Sequence, residues 1–371
     1  MNILLLSVHF APNVGGVETH LLDLIKALGK RNINVFVLTY RPLVSKNRWK
    51  IYEREKKIVI FRLPWIPGLF YKLSGRPILQ FLYLVPGLFF SLPFVLLFKG
   101  VNTIHAHGLI SGFVAVFWGK IFRKRVVIST HSLYEFPKGG LYRRFSIWVF
   151  QNADHVSTLS RQALREVRNL GVKKRNSSNF TYWINLKTFR PIKNAKSEVG
   201  WRNKFIVLFV GRLVSEKGIP ELLEAVTKWN KNITLAIIGS GPYEKQIKKL
   251  ETEINNLQFF GKKNQDKLPK YYSAADLVIV PSTHEEGFGR VIIESLACST
   301  PVVGSNRGAI PEAMNETVGE LIDVNPKNII EIVETYYVDP RRLQKLSNNT
   351  KNFVRKYYSE NNVGKIVKTY Q

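Results

Sequence analysis

PSTHEEGFGRVIIESLACSTPVV, residues 281–303, runs from a loop punctuated by Gly287 and Gly289 into an apolar helical pattern, and Pro301 then opens a β-rich run. Two carboxylates, Glu286 and Glu294, stand at either end of its middle. A continuous helix rising ~1.5 Å per residue would set them ~12 Å apart. That separation suits a ligand with hydroxyls at both ends, such as a sugar joined through a diphosphate to a ribose. A carboxylate can accept from two neighbouring hydroxyls at once, so each end would have a receptor. A solvated loop acid followed by an ordinary surface helix fits the spacing equally well.

Outward from this stretch, short apolar runs alternate with helical patterns in both halves of the chain. Upstream, FIVLFVGRLVSEKG (205–218) reads as a strand and a glycine turn, with Arg212 and Lys217 in one loop. Two cations at the carboxyl end of a strand form a plausible diphosphate clamp. TLAIIGSGPYEKQIKKL (234–250) repeats the strand–turn–helix order. At the start of the chain, residues 2–8 read as a buried strand, and Val17, Leu21, Leu24, Ile25 and Leu28 recur at helical spacing. Gly15 and Gly16 open that helix, where backbone N–H groups and the helix dipole favour an anion. A plain turn accounts for the pair as well, and the G-x-G-x-x-G fingerprint of nicotinamide binding is absent. RVVISTHSLYEF (125–136) is a strand ending near His131, and a polar residue leaving such a strand faces the ligand crevice. His105 and His107 share a strand face, but without a cysteine or carboxylate beside them no metal site is expected.

Residues 281–303 resemble the signature of the retaining glycosyltransferases of family four, the glycosyl transferases group 1, with Glu286 and Glu294 in its E-x7-E pair. Ser299 departs from it, standing where the family usually has glycine. G-R-L-x-x-x-K-G at 211–218, the GSGP turn and GAIPE (308–312) are similar to further family segments. Pro12–Glu18 resembles P-x-x-G-G-[VI]-E, and YWINLKTFRP (182–191) resembles G-V-D-x-x-x-F-x-P with Asn185 in place of aspartate. The resemblance implies an α/β chain of GT-B fold, two doubly wound Rossmann-like domains facing a cleft. Residues 1–195 would bind the acceptor and 196–352 the nucleotide sugar. Residues 191–203 would form the linker, and a terminal helix, 353–371, would cross back onto the first domain. It further implies that Arg212 and Lys217 hold the donor diphosphate, that Glu286 positions the sugar and Glu294 the ribose, and that Gly287, Phe288 and Gly289 shape the donor site. Gly15 and Gly16 would face the donor diphosphate or the acceptor, and His131 would contact the transferred-sugar region. Transfer would retain the anomeric configuration by front-face attack.

Composition bounds the partners. Residues 1–195 hold 30 Lys and Arg against 7 Asp and Glu, a net +23 of the chain's +28. Such asymmetry points to an anionic partner for the first half: membrane lipid, a lipid phosphate or nucleic acid. The carboxylate pair and the Arg212–Lys217 loop have no use in a nucleic-acid binder, so none is expected. A sugar-nucleotide epimerase of similar fold remains the alternative enzyme. None of the six aspartates falls two residues from another. With no D-x-D motif, no metal and no other cofactor are expected, and cations and helix N-termini would stabilise the leaving group. Cys298 is the sole cysteine, which suits a reducing cytosol.

Residues 77–98 carry no charge and are long enough to span a bilayer, but Pro86 and Pro93 interrupt them. A buried or interfacial helical pair is favoured over a span. Trp65, Phe70, Tyr71, Phe81, Tyr83, Phe89 and Phe90, beside Lys72 and Arg76, suit an interfacial segment. The expectation is a peripheral enzyme on the cytoplasmic leaflet acting on a lipid or lipid-linked glycan.

Overall fold

Apolar runs such as Ile3–Leu6, all wholly buried, become strands covered on both faces, the pattern of parallel sheets between helices. The structure, a computed structural model, describes residues 1–13, 15–43, 48–73, 76–131 and 136–371. Val14 of the Pro12–Glu18 segment, the side chain of Tyr71 and residues 132–135 after His131 lie outside that description.

The chain divides into two compact units, Met1–Tyr182 with Asn361–Gln371, and Trp183–Glu360. The first holds β1 (Asn2–Ser7), β2 (Asn34–Tyr40), β3 (Tyr52–Glu55), β4 (Ile58–Leu63), β5 (Thr103–His107), β6 (Arg125–Thr130), β7 (His155–Thr158) and β8 (Ser177–Asn179). Their order is β3-β4-β2-β1-β5-β6-β7-β8, parallel except for the β3–β4 hairpin. The second holds β9 (Phe205–Arg212), β10 (Ile233–Ser240), β11 (Leu257–Phe259), β12 (Leu277–Val280), β13 (Val302–Ser305) and β14 (Gly319–Ile322). These are all parallel, ordered β11-β10-β9-β12-β13-β14. Strand order reverses between β1 and β5 in one sheet and between β9 and β12 in the other. Ligands of open α/β sheets bind outside the carboxyl ends of strands at such points.

The polar stretch 191–203 is not a free linker. It holds the short helix Ala195–Glu198, Lys196 bonds Asp276 at 2.6 Å, and Trp201 is buried. The unit boundary falls earlier, after Tyr182, because Ile184 N–H donates to Tyr358 O and Phe189 is buried in the second unit. At the other end, residues 353–357 finish the helix Pro340–Tyr357 of the second unit, and the return to the first begins at Asn361.

Residues 77–98 form one helix, Pro77–Phe98, rather than a pair. Each interior proline deletes an N–H, and tertiary partners compensate. Phe89 O, which the missing Pro93 N–H would have served, accepts from Trp118 Nε1 at 2.8 Å. Near Pro86, the Tyr40 hydroxyl donates to Leu84 O at 2.6 Å and accepts from Leu88 N–H at 3.0 Å, bridging the opened turn. Tyr40→Phe leaves both buried groups unpaired and costs about 1–3 kcal/mol. A lower urea midpoint with an unchanged slope would show it, and an unchanged midpoint would refute it.

Leu84, Leu88, Leu92 and Leu96 recur every fourth residue and bury one face of this helix. The opposite face, with Ile78, Leu82, Phe90, Phe94, Leu97 and Phe98, stays exposed. Phe81 and Phe89, expected at an interface, instead pack partly buried against Phe113, Phe117, Phe145 and Trp118. Tyr83 is buried as well. The cause is helical phase, which turns 81 and 89 toward the neighbouring helix Leu109–Ile121.

Candidate functional site

In the second unit, β9 and β12 bring two loops together at the reversal point. The loop after β9 closes through a 3-10 turn, Ser215–Lys217, and Gly218 takes a left-handed φ of 72°. A Cβ at Gly218 would collide with Pro281 O, so glycine is what lets the two loops touch. Thr283 N–H donates to Glu216 O, and His284 Nδ1 lies 2.8 Å from the same carbonyl. GAIPE closes from the other side: Gly308 would also clash if it carried a Cβ, and Ala309 N–H donates to Glu286 O.

Glu286 sits in this junction, in the loop before the helix Arg290–Ala297, with its side chain 13% exposed. Lys217 Nζ and Ser282 Oγ both donate to Glu286 Oε1. Burial alone would raise the carboxyl, but the Lys217 ammonium and these hydrogen bonds outweigh it and hold the pKa below the ordinary value. The expected two-cation clamp is divided. Lys217 faces Glu286, whereas Arg212 ends β9 exposed, its charge acting on Glu216.

Glu294 lies within the helix, buried. Its oxygens accept from Tyr272 Oη at 3.0 Å, Arg290 Nε at 3.1 Å and Gln265 Nε2 at 3.3 Å. Burial raises its pKa, against the pull of Arg290 and the hydrogen bonds. With three of about four acceptor positions taken, it is not an open diol receptor as the spacing suggested. A ligand hydroxyl would have to displace Gln265, the longest of the three. Gly287 and Gly289 flank Phe288, which is buried edge-on to Tyr358 at 5.7 Å. Ser299 follows this helix at φ 67°, left-handed, which is the physical reason a glycine fits there.

In the first unit, Gly15 precedes the helix Gly16–Lys30 in extended backbone. The Glu18 carboxylate lies against it, close enough to collide with a Cβ there, and burial raises its pKa. The helix entrance therefore already faces a carboxyl group. His131 is buried at the carboxyl edge, with both ring nitrogens engaged: Nδ1 lies 3.0 Å from Tyr182 Oη and Nε2 2.9 Å from His107 Nδ1. His105 bridges Tyr370 Oη and Ser129 Oγ at 2.7 Å each, and His20 stacks on Tyr182. Among the described residues no group of three or more His, Cys, Asp and Glu is arranged to hold a metal ion.

Sequence reasoning missed Ser282, Gln265, Tyr272 and Arg290. Two left a signal: Ser282, inside the 281–303 stretch four residues before Glu286, and Arg290, four residues before Glu294 on one helix face. It also missed the histidine–tyrosine cluster, whose members come from distant segments.

Residues 14–178 match the family model described as Glycosyltransferase Family 4, and residues 192–353 match Glycosyl transferases group 1. The uncharacterized glycosyltransferase MJ1607 of Methanocaldococcus jannaschii is 27% identical across 98% of this chain and 96% of the relative. The GPI3 subunit of phosphatidylinositol N-acetylglucosaminyltransferase from Saccharomyces cerevisiae is 25% identical across 84% of this chain and 70% of its own. Among solved structures, sucrose-phosphate synthase from Thermosynechococcus elongatus superposes with a TM-score of 0.84 at 25% identity, covering 100% of this chain and 98% of that one. Anabaena HepE, solved with UDP, gives 0.78 at 20% identity, covering 99% and 98%.

Proposed function

The chain belongs to the family four glycosyltransferases, with their GT-B fold, and from that premise we propose that it moves a hexose from a nucleotide sugar to a membrane lipid or lipid-linked glycan. The transfer retains the anomeric configuration and uses no metal ion. The observation that carries this reading is the Lys217–Glu286 junction at the carboxyl edge of β9 and β12. It sets a cation and a carboxylate side by side where a doubly wound sheet receives its ligand.

In this mechanism Lys217 and the exposed Arg212 stabilise charge on the departing diphosphate, with stabilisation aimed at where charge develops. The bond from the anomeric carbon to the diphosphate oxygen breaks. The acceptor oxygen bonds that carbon from the same face, and its proton passes to an oxygen of the leaving phosphate. Glu286 positions the donor sugar and is not the nucleophile. Glu294, released from Gln265, holds the ribose, and Gly287, Phe288 and Gly289 shape the loop beside it. Gly15 and Gly16 serve the donor diphosphate once the Glu18 carboxyl turns aside. His131, with both nitrogens occupied, keeps its strand edge in shape near the sugar and exchanges no proton.

A lipid acceptor is supported by the GPI3 relative, named for transfer to phosphatidylinositol. The exposed apolar face of the Pro77–Phe98 helix supports it too. Ile78–Phe98 is long and apolar enough to cross a membrane, and 33% of its most apolar 18-residue stretch is buried. Its packed leucine face suits lying along the cytoplasmic leaflet, with the basic first half drawn to anionic lipid.

A thermal-shift screen of nucleotide sugars identifies the donor, since a ligand of the native state raises apparent stability. With that donor radiolabelled and membrane extract supplied, label passes to the lipid phase and survives excess EDTA. An isomerised free sugar would favour the epimerase. Loss of transfer on chelation, restored by Mg²⁺ or Mn²⁺, would overturn metal independence.

A further inference from the structure

An open pocket of about 350 Å³ lies at the edge of the first sheet where β2 begins, beside the β3–β4 hairpin and the end of the Pro77–Phe98 helix. Arg54, Lys56, Lys57 and Lys99 line it together with Tyr52 and Phe98. Because β2 and β4 are parallel and the lining residues Asn34 and Val59 sit at their starts, the pocket faces away from the carboxyl edge that carries His107 and His131. It is therefore separate from the site already described.

Its charge is one-sided by construction. Along β3 side chains alternate, so Tyr52 and Arg54 point to one face and Glu53 and Glu55 to the other. Glu53 is used up in an ion pair with Arg62 at 2.9 Å. Among the described residues none of the four lining cations pairs with a carboxylate. Lys57 Nζ donates to the Asn32 side chain, and Lys99 Nζ stands 5.6 Å over the Phe61 ring, contacts that leave both charges uncompensated. Four like charges around one concavity repel, and an anion relieves that repulsion. The pocket also adjoins the apolar face, since Phe98 lines it and Phe94 and Leu97 continue the exposed stripe. Cations at headgroup level beside apolar side chains at acyl level match the cross-section of a phospholipid.

We infer that this pocket is a headgroup site, in which Arg54, Lys56, Lys57 and Lys99 hold the phosphate of an anionic phospholipid while Phe94, Leu97 and Phe98 enter the acyl boundary. The inference rests on the reading of the first unit as membrane-facing and gives that reading a specific docking point. It fixes the helix lengthwise along the leaflet rather than across it.

The test is co-sedimentation of the full chain with phosphatidylcholine vesicles, with and without phosphatidylglycerol. Arg54→Gln with Lys57→Gln removes two exposed charges that support no packing. Each cation near a membrane surface contributes about 1 kcal/mol, so binding to the anionic vesicles weakens about thirtyfold. Lys173→Gln with Arg175→Gln, an exposed pair beside β8 at the opposite edge of the sheet, leaves it nearly unchanged. Equal losses from both pairs would assign binding to diffuse charge and overturn the pocket. Calorimetric binding of inorganic phosphate or glycerol phosphate without vesicles, abolished by the Arg54 and Lys57 substitutions, would assign it to free phosphate and overturn the lipid source. Phe94→Ser with Leu97→Ser separates the two levels of the argument. If it abolishes binding while the Arg54 and Lys57 pair does not, the membrane-facing reading stands and the headgroup site falls. If the unaltered chain ignores phosphatidylglycerol, both fall together.

Discussion

Lys217→Ala lowers kcat by about 10²–10³-fold, the usual loss when one preorganised donor to a developing anion is removed. The same substitution destabilises the second unit by about 3 kcal/mol, because the largely buried Glu286 carboxylate loses its counter-charge. The two effects separate in the double variant. Lys217→Ala with Glu286→Gln removes the orphaned charge and recovers most of the stability, but not the rate. Single-turnover kinetics with the identified donor, alongside urea unfolding, measures both. A folded Lys217→Ala variant with unaltered kcat would remove Lys217 from the mechanism. The pair also has a pH signature. A carboxyl whose folded pKa is lowered contributes stability that is present above its unfolded pKa and lost as pH falls through the folded value. At neutral pH the pair is therefore fully formed.

Below about pH 6.5 the first unit loses stability steeply, owing to its buried histidines. Burial, reinforced by neighbouring histidines, lowers His105 to about 3 and His107 well below its ordinary value, and burial lowers His131 to about 3. The unfolded chain takes up protons at these positions near pH 6.5, while the folded chain does not until far lower. Stability therefore falls as pH drops below the unfolded value, by up to about 1.4 kcal/mol per pH unit for each histidine. Glu18 and Glu294, whose carboxyls burial holds above their ordinary values, act in the opposite sense and regain stability as pH falls toward them. Burial also lowers His9, to about 4, and His155, so among the described residues five histidines against one such carboxyl in the first unit leave the acid loss dominant. Against a typical total of about 5–15 kcal/mol, this brings acid unfolding of the first unit to around pH 4–5. Urea midpoints followed from pH 7.5 to pH 4.5 by hydrogen exchange at β5 and β6 would record the fall, and a flat profile would refute it.

The two carboxylates of 281–303 were legible because loop glycines and apolar periodicity are local signals. Their environments were not. Nothing near Glu294 in sequence announces Tyr272 or Gln265, which reach it across a helix packing. Lys217 and Arg212 look alike in G-R-L-x-x-x-K-G, but the turn that Gly218 permits carries only Lys217 to Glu286. The helical pair expected from Pro86 and Pro93 failed for a related reason. Proline breaks a helix when the backbone groups it frees stay unsatisfied; here Trp118 serves the Phe89 carbonyl that Pro93 orphans, and Tyr40 bridges Leu84 O and Leu88 N–H beside Pro86.

Sequence by itself determined the alternation of strand and helix, the family, the charge asymmetry and the residues of the E-x7-E pair. Each is written in periodicity, composition or short spacing, which the chain carries wherever it folds. Tertiary structure alone decided which cation meets Glu286, that Glu294 is already held by three donors, and that Phe90 rather than Phe81 or Phe89 faces outward. It also decided that four histidines share one buried cluster and that Arg54 and Lys99 share one pocket. Those outcomes depend on which elements pack side by side, and packing joins residues whose separation along the chain leaves no local trace.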